Sequence, residues 1–457
     1  MNEDGEARGH VTFRKTVRIF LTLVLLALFS PAWSLRAAQT DNLSREDQEE
    51  LIKEILGHVE KIYPFPEIAR TMALGVTDSL RAGKYTRYTD PAEFAQQLSA
   101  DLEALSNDAH MGLTYDPPRA AEMRALEEKG LENPYAASTL EAERWNNFGF
   151  KELRILEGNV GYLDLRTFFA VKYAGETAVA AMGYFANCNA LIIDLRRNGG
   201  GWDDMVTFLA SYFFDTDAGI VFGIGMSTRD STFYPSTTSA YVPGTLLADI
   251  PLYILVSGGT ASGAEAFASI MKNMRENATL VGERTAGAEN PLETVIIRDT
   301  YILWVPGWKK IFSRAKSGWE GVGVEPDIEV PADSALDVAH WKALALLMER
   351  GADQGQTQRY QWAMDGVKAR SGLMTIGKEL REVYAGQYGN RTVYLEGDEL
   401  YYRYKDRPKR KMLAISREYF LVEGYDWFRV RFFKENGGLA GFEEVRADGS
   451  VVRCRRE

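Results

Sequence analysis

The chain has 457 residues, 46% hydrophobic and 12% aromatic, enough for a large core and two or three domains, which excludes an intrinsically disordered protein. A formal net charge of -11 leaves no basic footprint for nucleic acid, so neither RNA nor DNA is an expected partner. Two cysteines, Cys188 and Cys454, make no disulfide framework, and the scattered histidines and cysteines match no zinc spacing, so no metal and no cofactor is expected.

At the N-terminus Arg14, Lys15 and Arg18 precede the apolar run IFLTLVLLALF and then SPAWSLRAA. This order describes a secretory signal peptide over residues 1–37, with an uncleaved anchor helix as the alternative. The mature chain is then expected to be periplasmic or extracellular, with no membrane contact after cleavage. Residues 42–116 read as a helical domain. Its clearest helix is TDPAEFAQQLSADLEAL, where Thr89 or Asp90 can cap, Pro91 suits the first turn, and Phe94, Leu98, Leu102 and Leu105 share a face. Residues 117–150 are polar and rich in Pro, Ala and Glu, reading as a linker with one short helix.

From 151 to 350 strands alternate with helices: VGYLDL, a helix over 172–186, ALIIDL, a helix from Met205, a hairpin pair VFGIGM and STFYPS, then PLYILV and a further helix. The helix ALDVAHWKALALLMER ends the segment. Such alternation predicts a layered α/β domain with a largely parallel sheet. Residues 372–457 carry short strands between Gly-Asp, Asn-Gly-Gly and Asp-Gly turns, the pattern of a small antiparallel β-sandwich or barrel. The fold class is therefore multi-domain α/β.

Three segments carry residues suited to chemistry. In ALIIDLRRNGGGW a buried-type strand runs into Asp194, Arg196, Asn198 and three glycines, which form either a tight turn or a backbone surface for a ligand in the crevice beyond the strand. In SGGTASGAEAFA, Ser262 falls at a strand-to-helix junction. It is either a helix cap, with Glu265 completing a capping box, or a nucleophile whose oxyanion would meet the N–H of Gly263. Of the histidines, His58 and His340 lie in predicted helices with ordinary amphipathic neighbours. His110, in LSNDAHMGLTY, sits in a loop after a helix, where functional groups are commonly displayed.

Together TMALGV through LSNDAH, GNVGYLDL, ALIIDLRRNGGG, TASGAEAFA, LVGERTAG and WEGVGVEPDIEV, in this order, resemble the serine peptidases of the C-terminal-processing (tail-specific) and tricorn type, over residues 45 to 350. The processing branch places a lysine after the VGERT segment, where this chain has Ala288 or its neighbours, so a Ser-Lys dyad is excluded unless another lysine folds in. The resemblance is therefore to the tricorn-like branch, similar to the repeats of interphotoreceptor retinoid-binding protein. It implies Ser262 as nucleophile, His110 as base and Glu320 as the carboxylate that orients the imidazole, with Asp108 a nearby competitor for that role. It also implies a crotonase-like or ClpP-like core, and an oxyanion hole from Gly263 with Gly199 or Gly200. The stretch between His110 and the strand after Gly158 is too short for the PDZ domain usual in processing peptidases.

The function implied is a secreted or periplasmic serine endopeptidase acting on polypeptides through an acyl-enzyme. The alternative is a non-catalytic protein on the same fold that binds a retinoid-like or lipid-like ligand or a peptide, since Trp202, Trp304, Trp308 and Trp319 flank the cleft in sequence.

Overall fold

A six-stranded sheet forms the centre of the chain in the computed structural model, which describes residues 42–128, 137–215, 219–228, 231–315, 317–372 and 374–457. The stretch read as a signal peptide lies outside the described residues. No helix among the described residues is long and apolar enough to cross a membrane. Strand order is Ile328–Glu329, Ala278–Gly282, Leu252–Val256, Ala190–Asp194, Val160–Leu165, Phe150–Leu156. All neighbours are parallel except the last pair.

The inner strands are continuous apolar runs because both faces of the sheet are covered. Leu163, Leu191, Ile193, Ile254 and Leu280 pack in one core with the helices Val171–Tyr184, Asp203–Ser211 and Gly263–Met274. Val160, Tyr162, Ile192, Tyr253 and Leu255 pack in another with Ala335, Ala339 and Ala343 of the helix Ala335–Glu349. The alternation of strands and helices thus becomes the layered α/β core with a largely parallel sheet that it predicts.

Ahead of this core stand the helices Arg45–Ile62, Pro66–Arg81 and Pro91–Ser106. Asp90 caps the third, accepting from the N–H groups of Ala92 (2.9 Å) and Glu93 (3.0 Å), and Phe94, Leu98 and Leu102 form its buried face. The chain then enters the strand Gly112–Tyr115, which pairs antiparallel with Tyr301–Pro306 of a hairpin whose first strand is Leu292–Ile297. That hairpin has no sequence signature: its turn puts Arg298 (φ 50°) and Asp299 (φ 56°) in the left-handed region, without the Asn-Gly or Asp-Gly pair that usually marks such a turn. The hairpin Val221–Ser227 and Phe233–Thr237 forms as expected, with Trp308–Phe312 added as a third strand.

The described part of residues 117–150 holds two α-helices, Pro117–Glu128 and Ala137–Trp145, where one short helix was expected. The first buries Ala120 and Met123 against Ile296 and Ile302. Two buried positions one turn apart are too few to register as a periodic apolar face.

At the C-terminus eight antiparallel strands follow one another in sequence order from Gly386–Tyr388 to Val451–Arg455. Glu457 N–H donates to the Gln387 carbonyl (3.0 Å), bringing the last strand to the first, so the arrangement is barrel-like and not a sandwich. Tyr388, Tyr402, Phe428, Phe432 and Phe442 fill it, and buried Glu444 accepts from Arg391 (2.7 and 2.9 Å) and from the Tyr402 hydroxyl (2.6 Å).

The chain leaves the adjacent strands Ala190–Asp194 and Leu252–Val256 at the same edge of the sheet, and the two loops that follow are stitched together. Thr260 Oγ1 donates to the Leu195 carbonyl (2.8 Å), Ser257 Oγ to that of Arg196 (2.7 Å), and Ala261 N–H to that of Asn198 (3.1 Å). The fully buried Asn198 side chain donates to the Leu165 carbonyl (3.0 Å) and accepts from Gly200 N–H (2.8 Å). Asn198→Ala leaves both backbone groups unpaired. It is expected to lower stability by about 1–3 kcal/mol, read from the chemical-unfolding midpoint.

Candidate active site

Ser262 occupies a backbone conformation, φ 51° and ψ −121°, that side-chain-bearing residues rarely adopt, directly before the helix Gly263–Met274. The glycine loop lies against it. Gly200 has φ +106°, and a Cβ there would stand 2.7 Å from Gly263 N and 2.8 Å from Ser262 Cβ. The glycine run therefore lets one backbone approach another, which goes beyond making a tight turn.

Glu265 accepts the Ser262 N–H (2.9 Å), as the anticipated capping box requires. The same carboxylate also accepts from Thr285 Oγ1 (2.5 Å), Gly287 N–H (2.7 Å) and Ala288 N–H (2.8 Å). It is fully buried, so desolvation pushes its pKa upward while these hydrogen bonds pull the other way. Ala288, at the position where the processing branch has its lysine, thus contributes a backbone donor to the turn that carries Ser262.

His110 is set by the end of the helix Pro91–Ser106, where Asn107 turns left-handed (φ 53°). Buried Asp108 then accepts from the Tyr63 hydroxyl (3.0 Å) and from His110 N–H (3.0 Å). Glu320 is held by a reciprocal lock. Its Oε2 accepts from Glu289 N–H (2.8 Å), Asn290 N–H (3.1 Å) and Asn290 Nδ2 (3.0 Å), while Glu289 Oε2 accepts from Trp319 N–H (3.0 Å) and Glu320 N–H (3.2 Å).

These loops bring polar atoms of Asp108, His110 and Glu320 within 4.8 Å of one another. Both carboxylates that compete for the orienting role therefore stand beside the imidazole. His110 Nδ1 lies 3.7 Å from Asp108 Oδ1, beyond hydrogen-bond range. Among the described residues, His110 Nδ1 and Glu320 Oε1 are buried with no hydrogen-bond partner. Burial holds the His110 pKa below its ordinary value, against the opposing charge of Asp108. Burial first, and the Asp108 charge second, push Glu320 up to about 8 despite the donors on its other oxygen.

His110 and Ser262 line one cleft of about 1090 Å³, together with Gly199, Gly201 and Gly263. Met123 and Leu126, from the stretch read as a linker, supply part of its wall, as do Trp202 and Trp308. The other two tryptophans do not line it. Trp319 is buried with its ring 4.5 Å from that of Phe312, and Trp304 lies under Arg119 with its Nε1 on Thr114. Gly200 spends its N–H on Asn198, so of the two glycines considered for an oxyanion hole only Gly199 faces the cleft with that group uncommitted to Asn198. His340 is a packing residue, its Nε2 2.8 Å from the Glu157 carbonyl. One lysine, Lys310, does fold into the cleft, but its ammonium is paired with Asp203, which also accepts from Ser236 Oγ (2.7 Å).

Residues 159–330 match the model of peptidase family S41, and residues 34–144 match that of the N-terminal domain of peptidase S41 in eukaryotic IRBP. The two stretches together cover more than half of the chain. The chain belongs to peptidase family S41. A carboxy-terminal-processing protease of Bartonella bacilliformis is 26% identical over 186 residues, covering 38% of this chain and 39% of that protein. A carboxyl-terminal-processing protease of Synechocystis sp. is 30% identical over 129 residues, covering 28% of each. The chain thus spans well under half the length of these relatives. The solved structure of mature CPAF is 14% identical, with a TM-score of 0.45, over 67% of this chain and 99% of that one.

Two outcomes are expected of this S41 site. A Glu320 pKa raised in the folded state contributes stability below pH about 4.5 that is lost as the pH rises through about 8. The melting temperature of Glu320→Gln should therefore fall less between pH 5 and pH 8.5 than that of the parent, and equal slopes would contradict the assignment. Glu265→Gln, whose amide turns a donor toward backbone N–H groups, is expected to cost about 2–4 kcal/mol in thermal or chemical unfolding.

Proposed function

We propose that the chain is a serine endopeptidase that hydrolyses polypeptides through an acyl-enzyme, and that it acts in the periplasm or outside the cell. The observation that carries the reading is that Ser262 and His110 line one cleft while two carboxylates stand beside the imidazole. Export rests on the signal-peptide pattern of residues 1–37.

In this reading Ser262 Oγ attacks the peptide carbonyl and His110 takes its proton. Burial keeps the imidazole neutral and so ready to accept. His110 then gives the proton to the leaving amine, and water repeats the sequence to release the acyl group. Glu320 orients the ring, and the charge of Asp108 beside it balances the imidazolium that forms. The oxyanion is held by the N–H of Gly263, at the positive end of a helix, and by that of Gly199. Gly200 serves by its shape: with no Cβ, it lets the glycine loop close on Ser262.

A second reading, capture of an apolar ligand or peptide without chemistry, is favoured by one observation: the cleft wall includes Met123, Leu126, Trp202, Leu292, Trp308 and Phe312.

Labelling by a fluorophosphonate separates the two. The parent is expected to label, with labelling lost in Ser262→Ala and reduced at least 100-fold in rate in His110→Ala; absence of labelling together with tight apolar-ligand binding would favour the second reading. Lys310→Met is expected to label. Loss there, with His110→Ala intact, would move the base to Lys310. Gly200→Ala is expected to reduce turnover of an unfolded polypeptide by about 100-fold or more, through displacement of Ser262 and its oxyanion donor.

A further inference from the structure

We propose that Asp108, His110 and Glu320 form a binding site for a zinc-class divalent ion, and that its occupation switches the cleft off. The inhibitory part rests on the catalytic reading above; the binding part does not.

An imidazole nitrogen and two carboxylate oxygens are a donor set suited to zinc. Each of the three residues offers an uncommitted lone pair. His110 Nδ1 and Glu320 Oε1 are buried without a hydrogen-bond partner among the described residues, and Asp108 Oδ1 accepts only the His110 N–H. The His110 side chain is 9% exposed and that of Asp108 0% exposed, so water does little to satisfy either. Among the described residues no lysine or arginine pairs with Asp108 or Glu320, and His110 is the only basic group within ion-pair range of Asp108. A divalent cation neutralises this buried acidic pair as no side chain does.

The spacing agrees. Zinc bonds of about 2.0 Å in a tetrahedron set neighbouring donors about 3.3 Å apart. His110 Nδ1 and Asp108 Oδ1 stand at 3.7 Å, too long for a hydrogen bond and near that edge. One ligand atom from each of the three residues lies within 4.8 Å of the other two, so closing the set around an ion requires a contraction of about 1.5 Å or less.

The consequence for catalysis follows from tautomers. A neutral imidazole that gives its Nδ1 lone pair to a metal carries its proton on Nε2. That nitrogen then has no lone pair with which to accept the Ser262 proton. The ion competes with catalysis without touching the nucleophile.

The test titrates the purified chain with cobalt(II), followed by visible absorbance, and with zinc(II), followed calorimetrically. One ion per chain is expected, with affinity at least tenfold weaker in His110→Ala and in the near-isosteric Asp108→Asn and Glu320→Gln, and unchanged in Ser262→Ala. Zinc should also suppress fluorophosphonate labelling of Ser262, and EDTA should restore it. Absence of binding at millimolar metal, or binding that none of the three substitutions weakens, would overturn the site. Binding as expected in a chain that never labels, with or without metal, would leave the site standing and defeat the catalytic reading instead.

Discussion

A single buried carboxylate, that of Glu265, holds the centre of this molecule in register. A charge out of water is tolerated only when its oxygens are occupied by donors, and here four converge on it: one from the turn of Ser262 and three from the loop at 285–288. That loop continues into Glu289 and Asn290, whose backbone N–H groups hold Glu320. The serine and the distal acid are thereby joined through one short stretch of backbone. Desolvation makes the joint demanding: every donor lost leaves an acceptor without water to replace it.

The same stretch also fills the position at which the resemblance to the processing branch would place a lysine. Where a lysine would enter, Ala288 is buried and gives its N–H to Glu265. The imidazole arrives from outside the core sheet, on a loop held at one end by the Asn107 turn and at the other by the pairing of Gly112–Tyr115 with Tyr301–Pro306. Tyr63, from the end of the first helix, fixes Asp108 beneath it.

Local sequence rules made the central sheet legible, because both-faces-buried strands read as apolar runs and the helices between them carry a clear face. The glycine run after Asp194, the strand-to-helix junction at Ser262 and the loop position of His110 are likewise local signals. Contacts between segments distant in sequence leave no such trace. Nothing near Glu265 announces that Thr285, Gly287 and Ala288 converge on it, and nothing near Asp108 announces Glu320. The hairpin that docks the histidine loop was hidden by left-handed turn residues, Arg298 and Asp299, of types that seldom mark a turn. Met123 reached the cleft wall through a helix whose apolar face is only two residues wide. In the C-terminal barrel the three-residue strand Gly386–Tyr388 is too short to show a period, and Val451–Arg455 is too charged.

The pairing of Gly112–Tyr115 with Tyr301–Pro306 also sets an order of events as the chain is made. Residues 107–110 leave the ribosome early, but their docking strand is synthesised nearly two hundred residues later, and Glu320 later still. The cluster around the imidazole therefore has no means of forming on a partial chain. A nascent polypeptide that ends before this point carries the histidine and the serine as separate, unaligned groups, and their alignment waits on the completion of the fold.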